Sequence, residues 1–279
     1  MEVIQNRTAL LEFEAYVQEG KYQELKKLKT FLVQAKSHLR KEFNELPGKR
    51  YVFDTVNMVV KFVTKEEKVT NHSGFIADAL DYVRLDKLAP LISLNHEAIS
   101  RDELEKEVAP FLLPATYYIR PNLNKHGKSF LQEYEYLFGG QSTVELLAEI
   151  RMVTEELEQA TKEYEKLKES LSLLHQFKKK KNLSVSVGSI SYIANKPSWD
   201  MEQIAENFGE DFIIRYGKVN VSLLDEWVVS GKFPKSIVNK NRTVIDLRSD
   251  FVVMSLDSEA KSFNYRNNKR TKLSLQRYA

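Results

Sequence analysis

The sequence predicts an α+β protein in which long antiparallel coiled-coil helices carry a small α/β block inserted between them and a small C-terminal α/β region. Three observations lead there. Two stretches, around residues 21–46 and 143–177, repeat apolar residues in alternating steps of three and four. Between them lies a run rich in β-branched and aromatic residues, Tyr51-Val52-Phe53 and Val56 to Val63. After the second stretch the period changes to two, in Leu183-Ser184-Val185-Ser186-Val187.

An opening helix is expected from Thr8 to Gln18, with Leu10, Phe13 and Val17 on one face and Gly20 interrupting it. A second helix follows from Lys21, where Leu25, Leu28, Leu32, Ala35, Leu39 and Leu46 form a seam that Pro47-Gly48 closes. Residues 49–64 read as two strands or one bent strand. Short helices near 75–84, 86–92 and 101–112 come next, the last opened by a Ser100 and Glu103 capping-box spacing. A strand over 116–120 ends at Pro121, and a helix near 128–137 stops at Gly139-Gly140.

The long helix begins at a second capping-box pair, Ser142 and Glu145. Its seam runs Leu146, Ile150, Val153, Leu157, Ala160, Tyr164, Leu167, Leu171, Leu174, without a break and with the charged residues elsewhere. A strict 3.5-residue period implies a left-handed supercoil with a partner helix. At 1.5 Å per residue the helix is roughly 50 Å long. It overhangs the 21–46 helix, so an intrachain hairpin inside a homodimer is expected.

Beyond the lysine run Lys178, Lys179, Lys180, Lys181, the alternating strand meets a bulge or turn at Gly188 and resumes at Ile190-Ser191-Tyr192. Pro197-Ser198-Trp199-Asp200 leads into a helix near 201–208. The segment Phe212 to Arg215, a helix from Val221 to Val229 ended by Gly231, and strands 243–247 and 251–254 complete the region. The resulting division is 1–48, 49–140, 141–182, 183–260 and a tail, 261–279.

The chain has no cysteine, which excludes disulfides, thiolate nucleophiles and Cys-ligated zinc. No apolar run approaches the roughly 20 residues of a membrane span, and Met1 to Gln5 lacks a signal-peptide pattern. A cytoplasmic protein without membrane partners is expected. Net charge is +3, but the tail carries Lys261, Arg266, Lys269, Arg270, Lys272 and Arg277 with no acid, leaving a slightly acidic body. Such a tail reads equally as a polyanion-binding arm or as a solubilising terminus.

The catalytic motifs lack either a needed residue, a specific pattern or a compact ligand spacing. Lys125-His126-Gly127-Lys128-Ser129 ends like a phosphate-binding loop but has Asn122 where the leading glycine belongs. Asp54 with Glu66-Glu67-Lys68 echoes the acid order of metal-dependent nucleases, an order that a chain with 39 acids produces readily by chance. His72, His96 and His126 have no compact ligand spacing. A non-enzyme that needs no cofactor or metal is expected. The stronger chemical signal is cations beside aromatics in the tail and C-terminal region, suited to phosphates and exposed bases.

The order long helix, basic run, Val187-Gly188-Ser189-Ile190-Ser191-Tyr192, Pro197-Ser198-Trp199, Phe212-Ile213-Ile214-Arg215, Asn220 and Asp250-Phe251-Val252-Val253 resembles the Gam family, host-nuclease inhibitors of Mu-type bacteriophages. The likeness spans roughly 143–255. Arg215 follows two isoleucines instead of one, and Val221 stands where that family has lysine. The resemblance implies a homodimer that caps double-stranded DNA ends, with a host nuclease or defence protein as a further partner. DNA would then meet Lys178 to Lys181, Arg215 and Lys218, joined by Arg266, Lys269, Arg270 and Lys272 of the tail. The competing reading is a protein-directed inhibitor or coiled-coil assembly factor with no DNA role.

Overall fold

The computed structural model describes residues 2–174, 177 and 180–275. In chain order the helices and strands begin with α1 (Glu2–Gln18), α2 (Lys21–Asn44), β1 (Arg50–Phe53), β2 (Met58–Thr70), α3 (His72–Leu80) and α4 (Leu85–Leu88). They continue with β3 (Ile92–Leu94), α5 (His96–Arg101), α6 (Glu105–Val108), β4 (Tyr117–Leu123), α7 (Lys125–Ser129) and α8 (Thr143–Ser172). The C-terminal third holds β5 (Asn182–Val185), β6 (Gly188–Ala194), α9 (Met201–Tyr216), β7 (Gly217–Val219), α10 (Val221–Val229), α11 (Lys235–Asn241), β8 (Arg242–Ser255) and α12 (Leu256–Leu275). The class is α+β, with three small sheets among the described residues, ordered β1-β2-β8, β3-β7 and β4-β6-β5.

The chain divides into two compact units. The first comprises 1–63, 116–195 and 251–258, the second 64–115, 196–250 and 259–279. The expected 49–140 block is therefore split: its middle belongs with the C-terminal region and its ends belong with the long helices. Hydrophobic pattern along the chain cannot reveal this, because the cut falls inside the continuous strands β2 and β8.

In the first unit the capping box forms as the sequence requires. The Glu145 N–H donates to Ser142 Oγ at 3.3 Å, and the Ser142 N–H donates to the Glu145 carboxylate at 2.8 Å. The second half of α2 packs against the first half of α8, joining Phe31, Leu32, Ala35, Leu39 and Phe43 to Leu146, Leu147 and Ile150. Tyr22, at the start of α2, meets Tyr164 far along α8 at 5.7 Å, so the two helices run antiparallel. The continuous seam of a long coiled coil is not what these contacts describe. Leu167, Leu171 and Leu174 are covered by Ala9, Phe13, Tyr16 and Val17 of α1 and by Leu183, Val187 and Ile190 around the β5–β6 hairpin. The overhang that motivated a second chain is thus filled from within, and Val153, Leu157, Ala160 and Tyr164 between the two clusters are half-buried. The helix also stops at Ser172, short of the expected 177, and Leu174 lies beyond it.

Residues 131–138 form no helix. Gln34 accepts from the Tyr136 N–H at 2.8 Å and donates to Tyr134 O at 3.2 Å. Gln23 does the same for Gln132, at 3.0 and 3.3 Å. Two amide side chains of α2 thereby take the place of a neighbouring strand. Pro121 does not end its strand; it sits inside β4 at a sheet edge, where a missing N–H is tolerated. The bulge or turn expected at Gly188 is a hairpin, with Val185 paired to Gly188.

In the second unit a single core joins α3, the β3–β7 pair, α9, α10 and α11 through Phe75, Ile76, Leu91, Ile204, Leu224 and Phe233. Asn71 caps α3 through the Gly74 N–H at 3.1 Å. The Ser100–Glu103 box does not form, because Ser100 lies within α5 and Glu103 adopts a left-handed φ of 57°. The helix expected over 201–208 continues, after a break at Gly209 with φ 75°, through Phe212 to Tyr216. The strands expected at 243–247 and 251–254 are one strand, β8. Residues 261–275 of the tail are the body of α12, and none of its residues is buried.

Candidate functional site

The cations expected to meet DNA fall in both units. Lys178 and Lys179 lie outside the described residues. Lys180 and Lys181 belong to the first unit, and the remaining six belong to the second. Lys181 stands over the Tyr117 ring at 4.0 Å.

In the second unit each cation has its own setting. The Arg215 guanidinium reaches Asp102 at 3.1 Å, while the Tyr216 hydroxyl donates to the same carboxylate at 2.8 Å. That hydroxyl, together with Arg101, holds the Asp102 carboxyl below the usual carboxylate range. Arg215 is thus a structural ion-pair partner with part of its charge neutralised. Lys269 ties α12 to α10 through Glu226 at 2.6 Å, and that hydrogen bond raises the pKa of the lysine. Arg266 Nε donates to Ser262 O at 3.2 Å. Lys272 is exposed on α12, beside Tyr265 and Lys269.

Arg270 faces a groove of about 1260 Å³ within the second unit. Its walls come from α10, α11 and the last turns of α12, with Val228, Phe233 and Val238 as apolar lining. Four cations border it, Lys68, Lys235, Arg242 and Arg270, against one acid, Asp225. Lys68 pairs with Glu66 at 2.7 Å, and Arg242 with Asp225 at 3.0 Å. Lys235 and Arg270 have no ion pair among the described residues. The Arg242 side chain is largely buried, and its Nε is sealed from solvent without a hydrogen-bond partner. A buried, unpaired guanidinium N–H is costly unless an acceptor reaches it. The sequence pattern singles out Arg270, leaves Lys235 and Arg242 among scattered cations, and puts Lys68 in a nuclease-like motif. Their convergence depends on α10, α11 and α12 packing around one groove, and no spacing rule encodes that.

A second concavity in this unit, about 410 Å³, lies between β3, the start of α5, β7 and residues 196–201. Lys218 lines it together with Lys196, His96, Trp199 and Ser93. The Pro197-Ser198-Trp199 motif therefore faces a cleft.

Asp54 is in the first unit and Glu66, Glu67 and Lys68 are in the second. Among the described residues no group of three His, Asp or Glu side chains is arranged to hold a metal ion. His126 packs edge-on against Phe130 at 5.1 Å, His96 lies 6.0 Å from Trp199, and His72 Nδ1 accepts from the Val219 N–H at 3.1 Å. Gly127 belongs to a capped helical turn, its N–H donating to Asn124 Oδ1 at 2.8 Å. No helix among the described residues is long and apolar enough to cross a membrane.

Compared with protein-family models, with curated proteins and with solved structures, the chain matches none.

Proposed function

We propose that this is a non-catalytic phage or prophage protein that binds linear double-stranded DNA and shields its ends from host nucleases in the host cytoplasm. The observation that carries the reading is the groove bordered by Lys68, Lys235, Arg242 and Arg270, with a single opposing acid. Distributed cations on one concave surface neutralise successive phosphates, and the counterions released favour binding at low salt. The Gam-like order of motifs over 143–255 points to the same ligand. Protection is steric: a protein seated on an end occupies the path of an exonuclease, and no bond is broken.

The test is anisotropy with a labelled linear duplex at several salt concentrations, together with an exonuclease protection assay on linear and closed circular DNA. Changing Lys235 and Arg270 to Glu should weaken binding to all sequences alike. It should also lower the slope of log affinity against log salt by about 0.9 for each phosphate that is no longer neutralised. Absence of binding at low salt would remove DNA as the ligand.

One observation favours a second reading, a protein-directed inhibitor. Helix α12 exposes Phe263, Tyr265 and Leu275, each more than half accessible, on an otherwise polar helix. Such side chains suit a protein partner better than a phosphate backbone.

A further inference from the structure

We infer that the 410 Å³ cleft beside β3 and β7 is a binding site for a single phosphate group. The inference does not rest on the DNA reading, because it concerns residues distinct from the basic groove.

Trp199 carries the argument. Its side chain lines the cleft and is only 9% exposed. Its indole Nε1–H is buried with no acceptor in the protein. Indole nitrogen is a donor only, and buried donors in folded proteins almost always find an acceptor. Nothing in the surrounding core supplies one: Trp199 sits among Ile99, Met201 and other apolar residues of the unit. The cleft is the polar space beside it.

Two lysines line the same space. Lys196 and Lys218 approach from different strands of chain, and neither has an ion pair among the described residues. Lys218 is fixed by the β3–β7 pairing, where Ser93 lies opposite it and the Ser93 hydroxyl donates to Lys218 O at 3.2 Å. Glu97 is the one carboxylate in the lining, so the cations prevail. The indole and the two lysines line the cleft from two segments, residues 196–199 and β7. A tetrahedral oxyanion can accept from all three, whereas a planar carboxylate presents its lone pairs in one plane. Walls of Ile92, Leu94 and Pro197 leave room for the apolar part of a phosphate monoester.

The source of the phosphate is either a small phosphate compound or the terminal 5′-phosphate of a nucleic-acid strand, and the experiment separates them. The full chain is titrated by calorimetry with inorganic phosphate, with acetate, and with a short single-stranded oligonucleotide in 5′-phosphorylated and dephosphorylated forms. A Trp227→Phe background lets Trp199 fluorescence report on the cleft itself.

Saturable binding of phosphate, weakened roughly tenfold or more by Lys218→Ala, Lys196→Ala and Trp199→Phe, is expected from loss of a hydrogen bond to a charged group. Tighter binding of the phosphorylated oligonucleotide than of its twin, with the difference abolished in Lys218→Ala, assigns the site to strand ends. Equal binding of the two, with free phosphate still bound, assigns it to small phosphates. No saturable binding of either phosphate form overturns the inference. So does acetate binding as tightly as phosphate, or phosphate binding unchanged in all three variants. Because Lys196 and Lys218 are exposed, their variants remain informative even if Trp199→Phe perturbs the core. Failure of duplex binding would leave all of these outcomes readable.

Discussion

Lys181 Nζ lies 4.0 Å from the ring centroid of Tyr117 and 5.7 Å from that of Tyr192. The two rings stack at 4.5 Å with 9° between their planes, and Phe177 extends the stack on Tyr192 at 4.9 Å. The register explains the meeting: Tyr117 pairs with Ala194, which makes Tyr192 its diagonal neighbour on the same face of the β4–β6 pair. Lys181 is held there by its own backbone, whose carbonyl accepts from the Tyr192 N–H at 2.8 Å. A lysine read from sequence as a phosphate ligand is therefore engaged with an aromatic stack.

Lys181→Ala should accordingly lower stability by about 0.5–1 kcal/mol, the range of an exposed cation–π interaction. A double-mutant cycle with Tyr117→Leu should recover most of that as a coupling energy. Denaturant titrations supply the numbers. A fall in the salt slope of DNA binding with unchanged stability would return Lys181 to the role the sequence suggested.

Covering of the α8 seam by α1 is testable in the same way. Phe13 and Leu171 are both fully buried in one cluster. Phe13→Ala should cost about 3–5 kcal/mol and Leu171→Ala about 2–5 kcal/mol. Because they share a cavity, the double mutant should be less destabilised than the sum. Deleting residues 1–18 should uncover Leu167, Leu171 and Leu174 and raise self-association in light scattering. Strict additivity would mean that α1 is not the cover. With the overhang filled internally, the homodimer expectation rests on the Gam resemblance alone.

Gly127 is required by close approach, with no left-handed φ involved. A Cβ built there would come to 2.0 Å from the Val187 carbonyl oxygen, a backbone atom that cannot rotate away. Gly127→Ala should force α7 from the β5–β6 turn and destabilise the first unit by about 1–3 kcal/mol, the usual cost of overpacking. Hydrogen exchange at Asn124, whose N–H donates to Val187 O at 3.1 Å, should speed up. Unchanged protection there would show that the turn yields without cost.

Much of the fold was legible where a local rule and the tertiary environment agreed. The Ser142–Glu145 box follows from spacing alone, and Gly209 marks the break in α9 that the sequence reads as two segments. The misreading of 128–137 as a helix has a physical cause. Tyr134, Tyr136 and Phe138 recur every second residue and stack in succession at 6.2 and 6.3 Å, a strand signal outweighed by the surrounding helix formers. The partners that stabilise the non-helical form, Gln23 and Gln34, lie about a hundred residues earlier. The candidate site was less legible still. Lys68, Lys235, Arg242 and Arg270 come from β2, α11, β8 and α12, and charge counting cannot tell which of 42 cations share a groove.

The last prediction concerns acid. His72 opens α3, and its Nδ1 accepts a hydrogen bond from the Val219 N–H, so the folded protein requires the neutral imidazole. Burial, and after it the charge of Lys218, holds its pKa below the ordinary 6.5. The sign follows by linkage: above pH 6.5 the ring is neutral in both the folded and unfolded chain, and its contribution to stability is complete. As pH falls below 6.5 the unfolded chain takes up the proton first, and stability declines until the pH has passed the lower folded pKa. The carboxyls of Asp78 and Asp102, also held below their usual value, keep their contribution to stability until the pH falls toward about 4. Denaturation at about pH 7.5 and about pH 5.5 therefore leaves these carboxyls out of the comparison. His72→Gln, whose amide oxygen can accept from Val219 without titrating, should flatten the decline across that interval. Should the variant lose stability as steeply as the wild type, the acid sensitivity lies in another group.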